Sequence, residues 1–176
     1  MNEILNKILL FLQKIGLKYD LESIEHDTFL PGLKLRNGTL VIDTKLLLYP
    51  GDVLHEAGHL ACMPLNIRQT MSDNLQDCDM HRGGEMMAIA WSYAACVFLK
   101  IDPEIVFHQH GYKGGGQNLI QNFNAGNNIG LPLLQWSGMS YDVLTAESLG
   151  QQPFPHMISW ICTRQTFDSA ASDKNS

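Results

Sequence analysis

The sequence predicts an α+β fold that is mainly helical, with a small antiparallel β-hairpin beside a central helix. The chain has 176 residues, of which 45% are apolar and 17% charged, which is enough for a domain with a hydrophobic core. Several segments carry apolar residues at helical spacing, and one pair of short apolar segments flanks an Asn-Gly dipeptide. We therefore expect a single domain over residues 1–168 and a polar tail over residues 169–176.

The first predicted elements are an amphipathic helix over residues 2–15 and a β-hairpin over residues 33–43. The helix has apolar residues on one face and polar residues on the other, and Gly16 ends it. In the hairpin, two strand-like segments flank Asn37 and Gly38. This pair tolerates the positive φ angles of a type I′ turn, which joins antiparallel strands.

The central predicted helix covers residues 52–63. Asp52 ends a Tyr-Pro-Gly-Asp turn and is expected to be the N-cap, while Pro64 closes the helix. Residues 64–84 are polar, and we expect them to be irregular.

A second buried helix is predicted over residues 85–100, which form the most apolar helical segment of the chain. Asp102 and Pro103 then suit the N-cap and first position of a short third helix. Residues 117–160 are rich in Asn, Gly and Pro, so the elements there can be placed only loosely.

The central helix carries a motif, His55-Glu56-Ala57-Gly58-His59, that matches the pattern H-E-x-x-H. Two imidazoles four residues apart on a helix lie about 40° apart around its axis, so both can bind one metal ion. Glu56 lies between them, where its carboxylate can hold and deprotonate a metal-bound water. The motif predicts a Zn²⁺ site and a hydrolytic reaction. The simpler alternative is two histidines on an ordinary amphipathic helix.

A catalytic Zn²⁺ normally has three protein ligands and a water, so a third ligand is needed. The extended H-E-x-x-H-x-x-G-x-x-H form requires Gly and His at the positions of Cys62 and Leu65, so it does not apply. A cysteine ligand upstream of the motif, as in peptide deformylases, is excluded because no cysteine precedes His55. A glutamate on the following helix is the remaining arrangement.

Glu85 is the first candidate for this third ligand, because it opens the next predicted helix after a loop long enough to reverse the chain. His81 ranks second and Asp79 third, and Asp77 is a further rival in the same loop. If Glu85 is not a ligand, the alternative is an acidic residue at the N-terminus of the helix, where its negative charge interacts favourably with the helix dipole.

The motif followed by Glu85-Met86-Met87-Ala88 resembles the gluzincin branch of the zincin metallopeptidases. It is most similar to small ImmA/IrrE-like metallopeptidase domains, over about residues 39–100. The resemblance implies a zincin-like single domain in which His55, His59 and Glu85 hold zinc and Glu56 is the general base. Residues 89–91 depart from the aromatic-Ala pair that usually follows in that family. The chain also lacks a helix-turn-helix segment, so a DNA-linked role is not implied.

Two further sets of residues are candidates for supporting roles. An oxyanion donor could come from the glycine-flanked loop that contains Tyr112, His108 and His110, although the loop could equally be solvated and carry incidental histidines. The ligand imidazoles could be oriented by one of the acidic residues Asp52, Asp77 and Asp79.

The function expected from the motif is that of a zinc-dependent metallopeptidase acting on a protein or peptide substrate. One alternative is a zinc hydrolase of another amide or ester. Another is a regulatory protein with a structural or inactive zinc site, in which His81 or Cys78 would fill the fourth coordination position. The net charge of −6 and the lack of a basic block give no support to a nucleic-acid partner.

The cysteines and the apolar segments predict a cytoplasmic protein with no membrane partner. None of the four cysteines forms a C-x-x-C pair, and free thiols fit a reducing compartment. The start of the chain has no signal-peptide pattern. The longest apolar run, residues 86–99, is too short to span a bilayer.

Overall fold

A three-stranded mixed sheet and seven α-helices build the part of the chain that the structure describes. The structure is a computed structural model; it describes residues 2–73 and 79–164, with the backbone alone at 79–82. The predicted α+β class is confirmed at this level. The elements, in chain order, are α1 (Glu3–Ile15), β1 (Tyr19–Leu21), β2 (Leu33–Arg36), β3 (Thr39–Ile42), α2 (Pro50–Cys62), α3 (Leu65–Arg68), α4 (Asp79–Leu99), α5 (Gly116–Asn124), α6 (Leu131–Trp136) and α7 (Val143–Leu149).

The first helix and the hairpin lie where the sequence predicts them. Asn2 is the N-cap of α1, and its side-chain oxygen accepts a hydrogen bond from the backbone N–H of Ile4 at 2.9 Å. At the hairpin turn, Asn37 and Gly38 have φ angles of 49° and 73°. Both values are positive, as a type I′ turn requires, and β2 and β3 pair antiparallel on either side of it.

Strand β1 is an element that the sequence did not predict, and it makes the sheet mixed rather than antiparallel. It pairs parallel with β3, Tyr19 opposite Leu40, so that β3 is the central strand of the order β1-β3-β2. The strand is only three residues long and largely exposed. Its pattern is therefore too short to distinguish from a loop, and pairing with a distant strand decides its conformation.

The motif helix α2 begins at Pro50, two residues before the predicted start. Proline suits the first helical turn, because its fixed φ is helical and the N–H that it lacks would have no partner there. The prediction of Asp52 as the N-cap is wrong: Tyr49 holds that position, and Asp52 is buried in the first turn. Its carboxylate is therefore available for a contact outside the helix.

The segment between α2 and the next long helix is more regular than predicted. Residues 65–68 form the short helix α3, and α4 begins at Asp79, six residues before the predicted start. Gly83 and Gly84, which favour a loop in the sequence, both lie within α4. Glu85 consequently lies inside a long helix rather than at its first position.

Past α4, short helices occupy the region that the sequence could place only loosely. Asp102 caps a 3₁₀ turn over Pro103–Ile105, and its side chain accepts a hydrogen bond from the N–H of Glu104 at 3.0 Å. This confirms a short capped element at that position. Helices α5, α6 and α7 follow, whereas the predicted tail over 169–176 lies outside the described residues.

The core is centred on the crossing of α2 and α4. A Cβ atom added to Gly58 would lie 3.1 Å from the carbonyl oxygen of Ala88 and 3.2 Å from the ring of Trp91. The Trp91 ring is fully buried, and its indole N–H donates to the carbonyl of Trp160 at 3.0 Å. Glycine in the motif thus lets the two helices approach closely, which brings Glu85 near the two motif histidines.

Cys62, Cys96 and Cys162 are free and buried, as predicted for Cys62 and Cys96. Cys78 lies outside the described residues. Within residues 2–73 and 79–164, no helix is both long enough and apolar enough to cross a membrane.

Candidate metal centre

Three predicted ligands come together at the crossing of α2 and α4. Nε2 of His59 lies 3.0 Å from Oε2 of Glu85, and Nε2 of His55 lies 3.6 Å from the same oxygen. The two Nε2 atoms are 3.1 Å apart. His55 and His59 lie one helical turn apart on α2, and Glu85 reaches them from α4. One atom of each residue therefore lies close enough to bind a single metal ion.

These separations fit a zinc coordination sphere. Ligand atoms about 2.0–2.2 Å from a zinc at tetrahedral angles lie about 3.3–3.6 Å from one another. The observed 3.0, 3.1 and 3.6 Å are close to that range. Two imidazoles and one carboxylate also form a donor set that zinc uses in catalytic sites with one position left open.

Glu85 and His59 each stabilise the charged form of the other. Desolvation raises the pKa of Glu85, but the contacts and charges of His55 and His59 lower it more, so the carboxyl stays ionised. Burial lowers the pKa of His59, but the hydrogen bond and charge of Glu85, together with the charge of Glu56, raise it more. A proton on His59 and the negative charge of Glu85 thus stabilise each other.

Glu56 lies on α2 between the two histidines and is half-buried. Burial raises the pKa of Glu56, and the negative charges of Glu85 and Asp52 act in the same direction, against the two histidines. A carboxylate with a raised pKa is a stronger base than one with an ordinary pKa. Glu56 is therefore suited to the role of general base that the motif predicts for it.

Tyr112 contacts His55 on the side away from the other two ligands. The Tyr112 hydroxyl lies 2.8 Å from Nδ1 of His55, whereas Nε2 of His55 faces Glu85 and His59. The sequence predicts Tyr112 as a candidate oxyanion donor and an aspartate as the group that orients the imidazoles. In the structure it is Tyr112 that contacts a ligand imidazole, and no signal in the sequence pairs it with His55.

Asp52 and His108 form a second contact between the same loop and α2. Nε2 of His108 lies 2.9 Å from Oδ1 of Asp52, and both side chains are largely buried. The ring of Tyr49 stacks on the His108 ring, with centroids 4.0 Å apart and an interplanar angle of 19°. His108 is thus held against the helix by Asp52, and the exposed His110 is bonded to its neighbour Gln109.

Comparisons with models of known protein families, with curated proteins and with solved structures found no match for this chain.

Among the candidate third ligands, Glu85 is the one whose side chain the structure describes. Asp77 and Cys78 lie outside the described residues, and at Asp79 and His81 only the backbone is described. Glu85 is described and lies within bonding distance of both histidines. Mutagenesis can rank it against His81 and Asp79.

Gly51 controls how closely the start of α2 approaches the segment that leads into the His108 loop. A Cβ atom at Gly51 would lie 1.9 Å from the carbonyl oxygen of Ile105. Because backbone must move to relieve this clash, we expect Gly51→Ala to cost about 1–3 kcal/mol. At about 2–4 °C per kcal/mol, the melting temperature should fall by roughly 2–12 °C in a thermal scan.

Gly83→Ala is the matched control for Gly51→Ala. It makes the same chemical change inside α4, where the nearest atom to an added Cβ is Cδ1 of Leu133 at 3.9 Å. Alanine is favoured over glycine in helices by about 1 kcal/mol, so this variant should melt at the same or a higher temperature. Equal melting temperatures for the two variants would contradict the close approach at Gly51.

Proposed function

We propose that the chain is a zinc-dependent metallopeptidase in which His55, His59 and Glu85 hold the ion and Glu56 is the general base. The observation that carries the proposal is the convergence of two Nε2 atoms and one carboxylate oxygen, with Glu56 between the two histidines on the same helix. A structural zinc site has no need of a carboxylate at that position.

The resemblance of the motif and of residues 85–88 to small ImmA/IrrE-like metallopeptidases gives the reaction class. In that branch of the zincins the same ligand types serve peptide hydrolysis, so a peptide or protein is the proposed substrate. The mixed sheet beside α2, with β3 contacting α2, is compatible with a zincin-like domain.

The chemistry that zinc supplies when bound is Lewis acidity, which polarises a carbonyl and lowers the pKa of water. The protein supplies the proton transfers. Glu56 would accept a proton from water as the water oxygen bonds to the carbonyl carbon, and return it to the nitrogen as the C–N bond breaks, which gives a carboxylate and an amine. Its raised pKa makes the protonated form accessible for the second transfer.

Zinc binding and zinc-dependent cleavage test the proposal. Protein stripped with a chelator should remain folded, bind about one Zn²⁺ per chain and then cleave members of a proteome-derived peptide library, identified by mass spectrometry. In water enriched in ¹⁸O, the new carboxyl termini should carry the label, because hydrolysis takes an oxygen from water. Stoichiometric zinc without new termini would reject the peptidase assignment, and no zinc binding would reject the site.

A further inference from the structure

The loop that follows the 3₁₀ turn contacts the motif helix at two points, one turn apart. His108 binds Asp52 and Tyr112 binds His55, at 2.9 and 2.8 Å. Asp52 and His55 are three residues apart on α2, so both contacts lie on the same face of the helix. The loop thus runs along the helix face that carries the candidate metal ligands.

The backbone of the loop is strained where Tyr112 makes its contact. Tyr112 and Lys113 both have φ angles of 52°, in the left-handed region that non-glycine residues rarely adopt. Such a conformation costs free energy and persists only where surrounding contacts maintain it. The Asp52–His108 contact and the packing of the Tyr112 ring on Phe107, at a centroid distance of 5.3 Å, provide such contacts.

The direction of the hydrogen bond between Tyr112 and His55 decides what the imidazole can do. A neutral imidazole carries one N–H. If Nδ1 donates to the Tyr112 oxygen, Nε2 keeps its lone pair and can bind a metal. If the tyrosine hydroxyl donates to Nδ1 instead, the proton of the imidazole lies on Nε2 and blocks that atom.

The surroundings of the hydroxyl favour the first arrangement. Nε2 of His55 lies 3.1 Å from Nε2 of His59, so it can accept an N–H from His59 when its own proton is on Nδ1, the atom that faces the Tyr112 hydroxyl. The phenolic oxygen of Tyr112 can accept a hydrogen bond as well as donate one, and it lies 2.8 Å from Nδ1 of His55.

We propose that Tyr112 is a positioning residue that accepts the Nδ1–H of His55 and so fixes the tautomer in which Nε2 is free to bind zinc. This inference rests on the proposed zinc site and adds to it a partner outside the ligand set. Partners that orient a ligand imidazole usually contribute about 10–100-fold to metal affinity. Tyr112 is therefore expected to act on the metal through His55.

Tyr112→Phe tests the proposal, because it removes the hydroxyl and keeps the ring. Tyr93→Phe is the matched control: its hydroxyl bonds Asn124 at 3.2 Å, on an exposed surface. In a competition titration, the zinc Kd should rise about 10–100-fold in Tyr112→Phe and stay unchanged in Tyr93→Phe. Circular dichroism should show the same fold for both.

The tautomer of His55 is a second readout, which a merely structural role for the hydroxyl would not move. Histidine-detected ¹⁵N NMR of the metal-free protein at pH 8, assigned with His55→Gln, should show the Nδ1–H form. In Tyr112→Phe this preference should be lost. An Nε2–H tautomer in the wild type, or an unchanged zinc Kd in Tyr112→Phe, would overturn the proposal. Failure of the wild type to bind zinc would overturn the proposed function. The tautomer measured without metal would still show whether His55 or Tyr112 donates the hydrogen bond.

Discussion

Glu56→Gln is expected to abolish peptide hydrolysis while leaving zinc binding intact. Glutamine has nearly the shape of glutamate, so α2 and its packing should not change. It cannot accept the proton from water, and a positioned general base is worth about 10²–10⁴-fold in rate. Because the proposed zinc ligands are His55, His59 and Glu85, the Kd for zinc should stay close to that of the wild type. Peptide turnover and a zinc titration on the same preparation measure both effects.

Glu147→Gln is the control for this substitution. Glu147 is an exposed residue of α7, so the same loss of one negative charge occurs away from the site. Its turnover should equal that of the wild type. If Glu56→Gln kept full activity, Glu56 would not be the base, and the metal centre would serve another purpose. If the variant lost zinc, the loss of turnover would say nothing about proton transfer, and the role of Glu56 would be structural.

The parts of the fold that the sequence predicts correctly depend on short-range patterns. Helix α1 follows from apolar periodicity together with Asn2 and Gly16 at its ends, and the hairpin follows from Asn37 and Gly38. The two motif histidines follow in the same way, since the helical repeat alone places them one turn apart.

The incorrect or missing predictions concern features that distant contacts decide. Asp52 reads as an N-cap because aspartate is common there, but its carboxylate contacts His108, which is 56 residues away. Likewise, Gly83 and Gly84 indicate a loop, although α4 continues through them where it is packed against α2 and α6. Local propensity is a weak guide where tertiary packing can override it.

The candidate site combines both kinds of information. His55, Glu56 and His59 are adjacent in the chain and could be identified together from one motif. Glu85 could be ranked but not chosen by sequence, since the α2–α4 crossing is needed to bring it to the histidines. Tyr112 was placed in the correct loop with a different role, because only the structure shows which nitrogen of His55 it contacts.

Glu85→Gln is expected to weaken zinc binding more than any other single change outside the two histidines. The substitution removes the negative charge of the third ligand and leaves a neutral amide oxygen, which is a poorer partner for a dication. The Kd for zinc should rise by more than the factor of about 10–100 that is expected when an orienting contact is lost. His81→Ala and Asp79→Asn, which remove the two rival ligands, should bind zinc like the wild type. A larger loss in His81→Ala than in Glu85→Gln would make His81 the third ligand.

The pH dependence of zinc binding gives an independent measure of the role of Glu85. Zinc binds the deprotonated imidazole, so a proton on His59 competes with the metal. Burial lowers the pKa of His59, but Glu85 and Glu56 raise it above its ordinary value of about 6.5, so wild-type affinity should already fall as the pH drops through that raised pKa. Without the charge of Glu85, the pKa of His59 should be lower and the fall should begin at a lower pH. Zinc titrations of wild type and Glu85→Gln between pH 5 and 8 would detect this displacement, and coincident pH profiles would show that Glu85 does not act on His59.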